Sequence, residues 1–245
     1  LYEELESVGN VTAVAPATDQ SAVGRSLSAE AAVTEHEMGY AVEGTPSDCV
    51  VAGLNTLGQD PDIVVSGCNK GANLGLYLLG RSGTVSAAVE AAFFGVPAVA
   101  VSMYVPEGDV PFPEIETEPA EYADAVRATR HLVAHAGQAG VFEQADYLNV
   151  NAPIADDGPA AMEVTRPSKN HAMTATYEDG RVTLHDRMWE AMAEGDIDDP
   201  PGTDRRAVVE GRVSVSPLTA PHTTQRHEAL DDLASAYGGA RQRSR

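Results

Sequence analysis

Lysine, cysteine and tryptophan are scarce in this 245-residue sequence, and acidic residues outnumber basic ones. Lysine occurs only at Lys70 and Lys169, and 37 Asp and Glu residues against 16 Lys and Arg give a formal net charge of −21 at pH 7. Such a chain repels the phosphates of a nucleic acid unless it gathers its cations into one patch, and the sequence shows no basic patch. We therefore expect no nucleic-acid partner.

Two cysteines and the lack of a long apolar run exclude further classes. Cys49 and Cys68 do not form a CxxC pair, so the sequence carries neither a zinc or redox signature nor a disulfide framework. No apolar stretch reaches the roughly 18 residues of a membrane span, and no charged-then-apolar leader opens the chain. The sequence thus predicts a cytoplasmic protein with no membrane partner.

The acidic, lysine-poor composition has two interpretations. In very high salt the Debye length falls to about 3 Å at 1 M, so the repulsion between surface carboxylates is screened. The composition then indicates a surface adapted to high salt, which is the interpretation that we favour. An ordinary acidic cytosolic protein is the alternative.

The start of the chain already follows a helical pattern. Its first residues, from Leu1 to Leu5, contain no initiating methionine. We therefore expect the sequence to begin inside a helix, with the true amino terminus upstream of Leu1.

Short apolar strands alternate with helices in residues 1–153. One helix is predicted to begin at Thr45, where Asp48 completes a capping box, and another begins near Thr84 and ends at Gly95. Strands that are apolar without alternation are typical of a parallel sheet covered on both faces, so the predicted fold class is α/β. The predicted strands are residues 10–16, 40–42, 62–66, 97–102 and 147–150.

Residues 154–245 form a predicted carboxyl-terminal extension to the core of residues 1–153. A hairpin turn is predicted at residues 178–180, and an amphipathic helix is predicted around Leu230 and Tyr237. Because the hairpin and this helix lie beyond the core and carry apolar residues, we expect both to bury against a second subunit. The predicted strands of the extension are residues 162–165, 173–177, 181–185 and 212–216, the first three forming a meander.

Polar loops follow three of the predicted core strands, at the sheet edge where α/β proteins bind ligands. The densest, residues 67–75, contains Asn69, Lys70 and Asn73 among three glycines. Glycines let backbone N–H groups converge on an anion, and Lys70 would add positive charge. The loop matches neither a Walker P-loop nor a dinucleotide fingerprint, so a plain glycine-containing turn is the alternative.

A second candidate site is the start of the helix at Ser82, Gly83 and Thr84. Free N–H groups and about half a unit of positive macrodipole charge favour a phosphate at such a helix start. Capping of the helix by Ser82 or Thr84 is the simpler explanation, and the two are compatible. From the residues alone, the chain is an α/β protein that binds a small molecule carrying a phosphate.

For two further groups of residues, a structural role explains the pattern more simply than a ligand site. His131 and His135 are four residues apart on a predicted helix, but a solvated helix face explains them better than a metal site without a third ligand. Met188, Trp189 and Met192 are expected in the core rather than around a cofactor.

The loop sequences resemble the SurE (survival protein E) family of metal-dependent 5′/3′-nucleotidases. The similarity runs in order through nearly the whole chain. It implies a Rossmann-like, three-layer fold with a parallel sheet, and a carboxyl-terminal hairpin and helix used to form homodimers or homotetramers. The matching segments are VTAVAPATDQSAVGRSLS at 11–28, YAVEGTPSDCV at 40–50, DIVVSGCNKGANLG at 62–75 and SGTVSAAVEAAFFGVPAVAVS at 82–102, with weaker matches at 148–153 and 212–218.

The resemblance also implies an activity and a ligand set. The family hydrolyses nucleoside 5′-monophosphates, with 3′-monophosphates as a further class, to nucleoside and phosphate, and uses one Mg²⁺ or Mn²⁺ per subunit. Its metal ligands are two aspartates of a TNDDG motif, a serine that falls on Ser21, and an asparagine that falls on Asn69. The implied phosphate- and substrate-binding residues are Lys70, Asn73, Ser82, Gly83 and Thr84.

The sequence departs from the family in ways that keep other functions open. TNDDG is absent, so the aspartate pair is expected upstream of Leu1, and Lys70 stands where arginine is usual. Without the pair, the alternative is a catalytically inactive nucleotide-binding or assembly protein. A Rossmann-type dehydrogenase or glycosyltransferase has little support, because its glycine fingerprint is missing.

Overall fold

A mixed five-stranded sheet forms the centre of the computed structural model, which describes residues 1–57, 60–106, 114–154 and 158–220. Strands and helices are numbered in chain order. The spatial order of this sheet is β4-β5-β6-β10-β7, in which the first three strands are parallel and β10 is antiparallel to β6. Its strands are β4 (Val64–Lys70), β5 (Ala98–Met103), β6 (Tyr147–Ala152), β7 (Met162–Val164) and β10 (Val213–Leu218).

The first strands of the chain form a separate sheet of three. β1 (Ala13–Pro16) runs parallel to β3 (Gly39–Val42), and β2 (Val33–His36) is antiparallel to β3. The expectation of one parallel sheet is therefore wrong, and the fold is α/β with mixed sheets. A buried strand such as β10 has the same apolar pattern in either direction, so its pattern does not reveal its orientation.

Helices cover both faces of the five-stranded sheet, as expected for a three-layer α/β protein. On one face, Val85 and Ala88 pack against Ala98 and Ala100, and on the other face Ala125 and neighbouring residues pack against the valines of the sheet. The helices are α1 (Tyr2–Glu6), α2 (Pro46–Ala52), α3 (Leu76–Leu79), α4 (Gly83–Phe93), α5 (Ala123–His135), α6 (Met188–Glu194) and α7 (Asp204–Val209). Within the described ranges, no helix is long and apolar enough to cross a membrane.

Several local predictions hold and others need correction. β4 continues through the glycine-containing segment to Lys70, because Asn69 and Lys70 pair with β5 after a bulge. β7 pairs with β10 and not with the hairpin, so the predicted meander is wrong in its first strand. The hairpin itself is present as β8 (Met173–Glu178) and β9 (Arg181–Asp186), whereas the terminal helix around Leu230 falls outside the described residues.

The predicted capping box at the start of α2 also anchors the loop that carries Ser21. The backbone N–H of Asp48 donates to the Thr45 hydroxyl at 3.1 Å, and Asp48 Oδ2 accepts from the Thr45 N–H at 2.8 Å. Asp48 further accepts from the backbone N–H and the hydroxyl of Ser28, each at 2.8 Å. The end of the loop is thereby fixed to α2.

Replacing Asp48 by Ala should lower the free energy of unfolding by about 2 kcal/mol, because three hydrogen bonds to one buried carboxylate are lost. Burial raises the pKa of Asp48, but the hydrogen bonds from Ser28 and Thr45 outweigh it and the pKa lies below its ordinary value of 3.8. This stabilisation is therefore present above pH 3.8 and is lost as the pH falls through the lowered pKa.

Urea unfolding at pH 7 and at low pH measures the effect of Asp48→Ala, with the exposed Asp62→Ala as control. A difference between the two variants that is as large at low pH as at pH 7 would contradict the assignment to ionised Asp48.

Candidate phosphate-binding site

The loop of residues 17–28 lies against the start of α4. Its Gly24 N–H donates to the carbonyl of Arg81 at 3.0 Å. A Cβ placed on Gly83 would lie 3.5 Å from the carbonyl oxygen of Gln20 and 3.1 Å from Pro46 Cγ. The structure therefore brings the segment around Ser21, which is exposed, to the helix start predicted from the sequence.

The start of α4 fits both interpretations of this segment, helix capping and phosphate binding. The Ser82 hydroxyl accepts a hydrogen bond from the Val85 N–H at 3.1 Å, so Ser82 is the helix cap. The N–H groups of Gly83 and Thr84 belong to the first turn, where no partner is available within the helix. Because a capping hydroxyl can still donate its own hydrogen, capping and phosphate binding use different atoms of Ser82.

Asn69 and Lys70 end β4 next to Ser102 and Met103 at the end of the neighbouring strand β5. The Asn69 Nδ2 donates to the Gly71 carbonyl at 2.7 Å, which leaves the amide oxygen as the atom suited to a ligand. Lys70 Nζ donates to the carbonyl of Ile115 at 3.0 Å. Lys70 thus ties the segment after residue 113 to the sheet, and its predicted role toward substrate stays a prediction.

Asn73 lies at the centre of a buried polar network beyond the end of the sheet. Its backbone N–H donates to Asn151 Oδ1 at 2.7 Å, and its carbonyl accepts from Asn149 at 2.8 Å and from Asn151 at 3.2 Å. Its own Nδ2 donates to the Ser102 hydroxyl at 2.8 Å. The structure therefore gives Asn73 a part in fixing the loop, and its contact with substrate stays a prediction.

The next turn of the chain is held by Asp204 at the start of α7. Asp204 is 0% exposed, and its carboxylate accepts from the N–H groups of Gly75 at 2.6 Å, Ser168 at 2.9 Å and Arg205 at 2.8 Å. Burial raises the pKa of Asp204, although these hydrogen bonds and the Arg205 charge oppose the rise. The guanidinium of Arg205 lies over Gly75, where a Cβ would approach its Nη2 to 2.3 Å.

Sequence reasoning missed the residues that hold the site together. Asn149 and Asn151 alternate with apolar residues on the fully buried strand β6, and two asparagines on one face of such a strand are a readable signal of a polar network. Asp204 and Arg205 gave no comparable signal, because their contacts at Gly75 and Asn170 are distant in sequence.

The described residues supply only part of a metal site. They contain no group of three or more His, Cys, Asp and Glu side chains that could hold a metal ion. Ser21 and Asn69 offer neutral oxygens, which suit a hard cation but do not balance its charge. The exposed rings of His131 and His135 contact each other edge to face at 4.8 Å, in agreement with a solvated helix face.

Together these features define a class: an α/β protein with polar loops gathered at the carboxyl ends of parallel strands and a capped helix start suited to an anion. The chain belongs to the survival protein SurE family, whose profile matches residues 1–174.

Relatives and a solved structure support this assignment over nearly the whole chain. The chain is 66% identical to a protein of Haloarcula marismortui named 5′-nucleotidase SurE, over 97% of this chain and 88% of the relative. It is 35% identical to a protein of the same name from Pseudoalteromonas atlantica, over 95% of this chain and 90% of the relative. The crystal structure of a SurE protein from Aquifex aeolicus has a TM-score of 0.71 and 30% identity, covering 91% of this chain and 88% of that one.

Replacing Asp204 by Asn should lower the free energy of unfolding by about 2–4 kcal/mol. Both carboxylate oxygens accept hydrogen bonds, so either orientation of the amide turns its NH₂ group toward a backbone N–H. Chemical denaturation measures the loss, with Asp62→Asn as an exposed control. Equal stability of the two variants would show that Asp204 does not hold Gly75 and Ser168 together.

Proposed function

We propose that this chain is a phosphomonoesterase of the 5′-nucleotidase class that hydrolyses nucleoside 5′-monophosphates to nucleoside and phosphate. The observation that carries the proposal is the contact between the loop of Ser21 and the capped start of α4 at Ser82, Gly83 and Thr84. The names of the relatives support the same activity. We propose 3′-monophosphates as a further substrate class.

The start of α4 is the proposed phosphate site. The N–H groups of Gly83 and Thr84 and the hydroxyls of Ser82 and Thr84 would donate to the phosphate oxygens, with the helix macrodipole adding about half a positive charge. Gly83 has a specific part, because a Cβ there would come within 3.1 Å of Pro46 and crowd the contact between the loop and the helix. Since phosphoryl transfer depends mainly on positioning and on electrostatic stabilisation, these residues would orient the phosphate for attack.

We also propose that the enzyme uses one Mg²⁺ or Mn²⁺ per subunit. When bound, such an ion polarises phosphoryl oxygens and lowers the pKa of a bound water. The hydroxyl of Ser21 and the amide oxygen of Asn69 would complete its shell, and the aspartates that carry the compensating charge would precede Leu1. Two observations support this placement: among the described residues β1 and β4 are each an edge strand of their sheet, and α2 packs against both β1 and α4. A strand preceding α1 could therefore pair with these edges.

A catalytically inactive nucleotide-binding protein remains the rival, because the described residues contain no carboxylate cluster for a metal. The gene sequence upstream of Leu1 separates the two. An in-frame TNDDG motif there would favour the enzyme, whereas its absence would favour the inactive protein.

The full-length protein should release phosphate from AMP and GMP in the presence of Mn²⁺. The variant Ser82→Asp should keep the stability of α4, because Asp is as good a helix cap as Ser, while its carboxylate repels the substrate phosphate. We expect kcat/KM for AMP to fall at least about 100-fold in this variant, which corresponds to roughly 2.7 kcal/mol. A steady-state phosphate-release assay measures the activity of the unaltered protein and the kcat/KM of the variant.

The matched control is Ser82→Asn, which caps the helix without adding charge. If Ser82→Asp and Ser82→Asn were equally active, the start of α4 would not be the phosphate site. If the unaltered protein released no phosphate at any salt concentration, the proposed activity itself would be refuted.

We further propose that the hairpin of β8 and β9 forms part of a homodimer or homotetramer interface. The register pairs Tyr177 with Val182 and Ala175 with Leu184, which places these four side chains on one face. Tyr177, Val182 and Leu184 are 73%, 62% and 68% exposed. A cluster of large apolar side chains that is so exposed in one chain is typical of a surface covered by a partner.

Sedimentation of the full-length protein should show a species with at least twice the mass of one full-length chain, and Leu184→Asp should dissociate it. Thr183→Asp is the control, because Thr183 pairs with Thr176 on the opposite face of the hairpin. Dissociation by both variants would point to unfolding of the hairpin, and a monomer before any substitution would refute the interface.

A further inference from the structure

A cavity of about 570 Å³ lies between the segment that precedes β8 and the segment that joins α6 to α7. None of the residues assigned to the phosphate site lines it. Its lining carries three aspartates and one lysine, so its formal charge is negative. The residues on which the argument depends are Lys169, His171, Asp196, Ile197, Asp198 and Asp199.

The acidic residues of the cavity differ in how they meet solvent. Asp196 and Asp198 are exposed, as is Lys169, and water can satisfy all three. Asp199 is 2% exposed, and neither of its carboxylate oxygens has a hydrogen-bond partner among the described residues. Burying a carboxylate without donors is costly, so a group that supplies donors to Asp199 would be bound favourably.

The guanidinium of Arg205 does not satisfy Asp199. Its Nη1 lies 4.0 Å from Asp199 Oδ2, beyond hydrogen-bond length, and donates to the Asn170 carbonyl at 2.8 Å instead. The charge of Arg205 also acts on Asp204, which is 0% exposed. Two buried carboxylates thus share one buried guanidinium, which leaves one negative charge at the cavity without compensation.

The segment that carries Asp199 is fixed by its backbone. Arg206 Nε donates to the Asp199 carbonyl at 2.9 Å, and Arg206 Nη2 donates to the Ile197 carbonyl at 2.6 Å. Ile197 is buried in one apolar cluster with Leu74. The carboxylate is therefore positioned before a ligand enters, which lowers the entropic cost of binding.

The geometry of the cavity favours an organic cation over a metal ion. Over residues 1–57, 60–106, 114–154 and 158–220, no three His, Cys, Asp and Glu side chains form a group that could hold a metal. The exposed ring of His171 offers a flat face, because it is stacked on Tyr77 with ring centres 5.2 Å apart and 16° between planes. A guanidinium is planar, stacks on such rings and matches a carboxylate with two parallel N–H groups.

We propose that this cavity binds a guanidinium group, which donates two N–H hydrogen bonds to the carboxylate of Asp199 and lies against the ring of His171. The ligand supplies both missing donors and balances the buried negative charge. Asp198 adds a weaker attraction, because it is exposed. The site is a second ligand site and does not depend on the proposed nucleotidase activity.

The test is a binding measurement that needs no turnover. Argininamide, which carries a guanidinium and no carboxylate, is titrated into the full-length protein by calorimetry. The matched ligand is citrullinamide, in which a neutral urea group replaces the guanidinium. We expect argininamide to bind at least about tenfold more tightly, the size of one charged hydrogen-bond contact. Failure of argininamide to bind, or equal binding of the two ligands, would overturn the proposal.

Two variants at the cavity should change the affinity for argininamide in opposite directions. Asp199→Asn should weaken binding about tenfold, whereas Lys169→Ala should strengthen it about twofold, because an exposed like charge is removed. A gain of affinity cannot come from unfolding, so Lys169→Ala keeps the test valid if Asp199→Asn disturbs the fold. The control is Asp62→Asn, an exposed residue outside the cavity. Unchanged binding by Asp199→Asn, or weaker binding by Lys169→Ala, would contradict the site.

A guanidinium group has two sources, a free small molecule and the sequence itself, whose residues 241–245 contain Arg241, Arg243 and Arg245. The titration is therefore repeated on the full chain carrying Arg241→Gln, Arg243→Gln and Arg245→Gln. Tighter binding of argininamide by this variant supports the site with these arginines as its occupant, since a competitor has been removed. Equal binding supports the site with a free ligand, and loss of the preference over citrullinamide in this variant overturns it.

Discussion

The path of the glycine-containing loop in the candidate site depends on how buried side chains hold the backbone between Gly71 and Gly75. Both glycines have left-handed φ angles, 95° and 77°, and the last bond of the ladder to β5 runs from the Gly71 N–H to the Met103 carbonyl at 3.0 Å, so the backbone beyond Gly71 needs other partners. Asn73 instead uses Asn149 and Asn151, and Gly75 uses Asp204, which lies 129 residues away in the sequence. A buried backbone group without a partner would cost about 1–3 kcal/mol, so these contacts fix the path of the loop.

Local chemistry made the secondary structure predictable, and long-range pairing made the sheet order unpredictable. The capping box at Thr45 and the cap at Ser82 involve residues three positions apart, and both are present as predicted. The orientation of β10 and the separate sheet of β1 are set by which strands meet in space, which the apolar pattern does not encode. The glycines of residues 67–71 favoured a loop, yet a partner strand was available and β4 extends to Lys70.

The residues of the candidate site also differ in whether they could be predicted from the sequence. Ser82 was readable from its place at a helix start, and Ser21 and Asn69 came from the family resemblance. The polar network of Asn149 and Asn151 left a signal that sequence reasoning did not use, since amides are costly to bury in a strand unless they are bonded. The contacts of Asp204 could not be read, because a buried carboxylate with three backbone donors has the same sequence appearance as a surface acid.

A chain with a net charge of −21 must bind a phosphate against its own field. The donors assigned here are neutral hydroxyl and N–H groups at a helix start, whose favourable field is short-ranged. At about 1 M salt the Debye length is roughly 3 Å, so the distant carboxylates are screened while contacts of hydrogen-bond length are not.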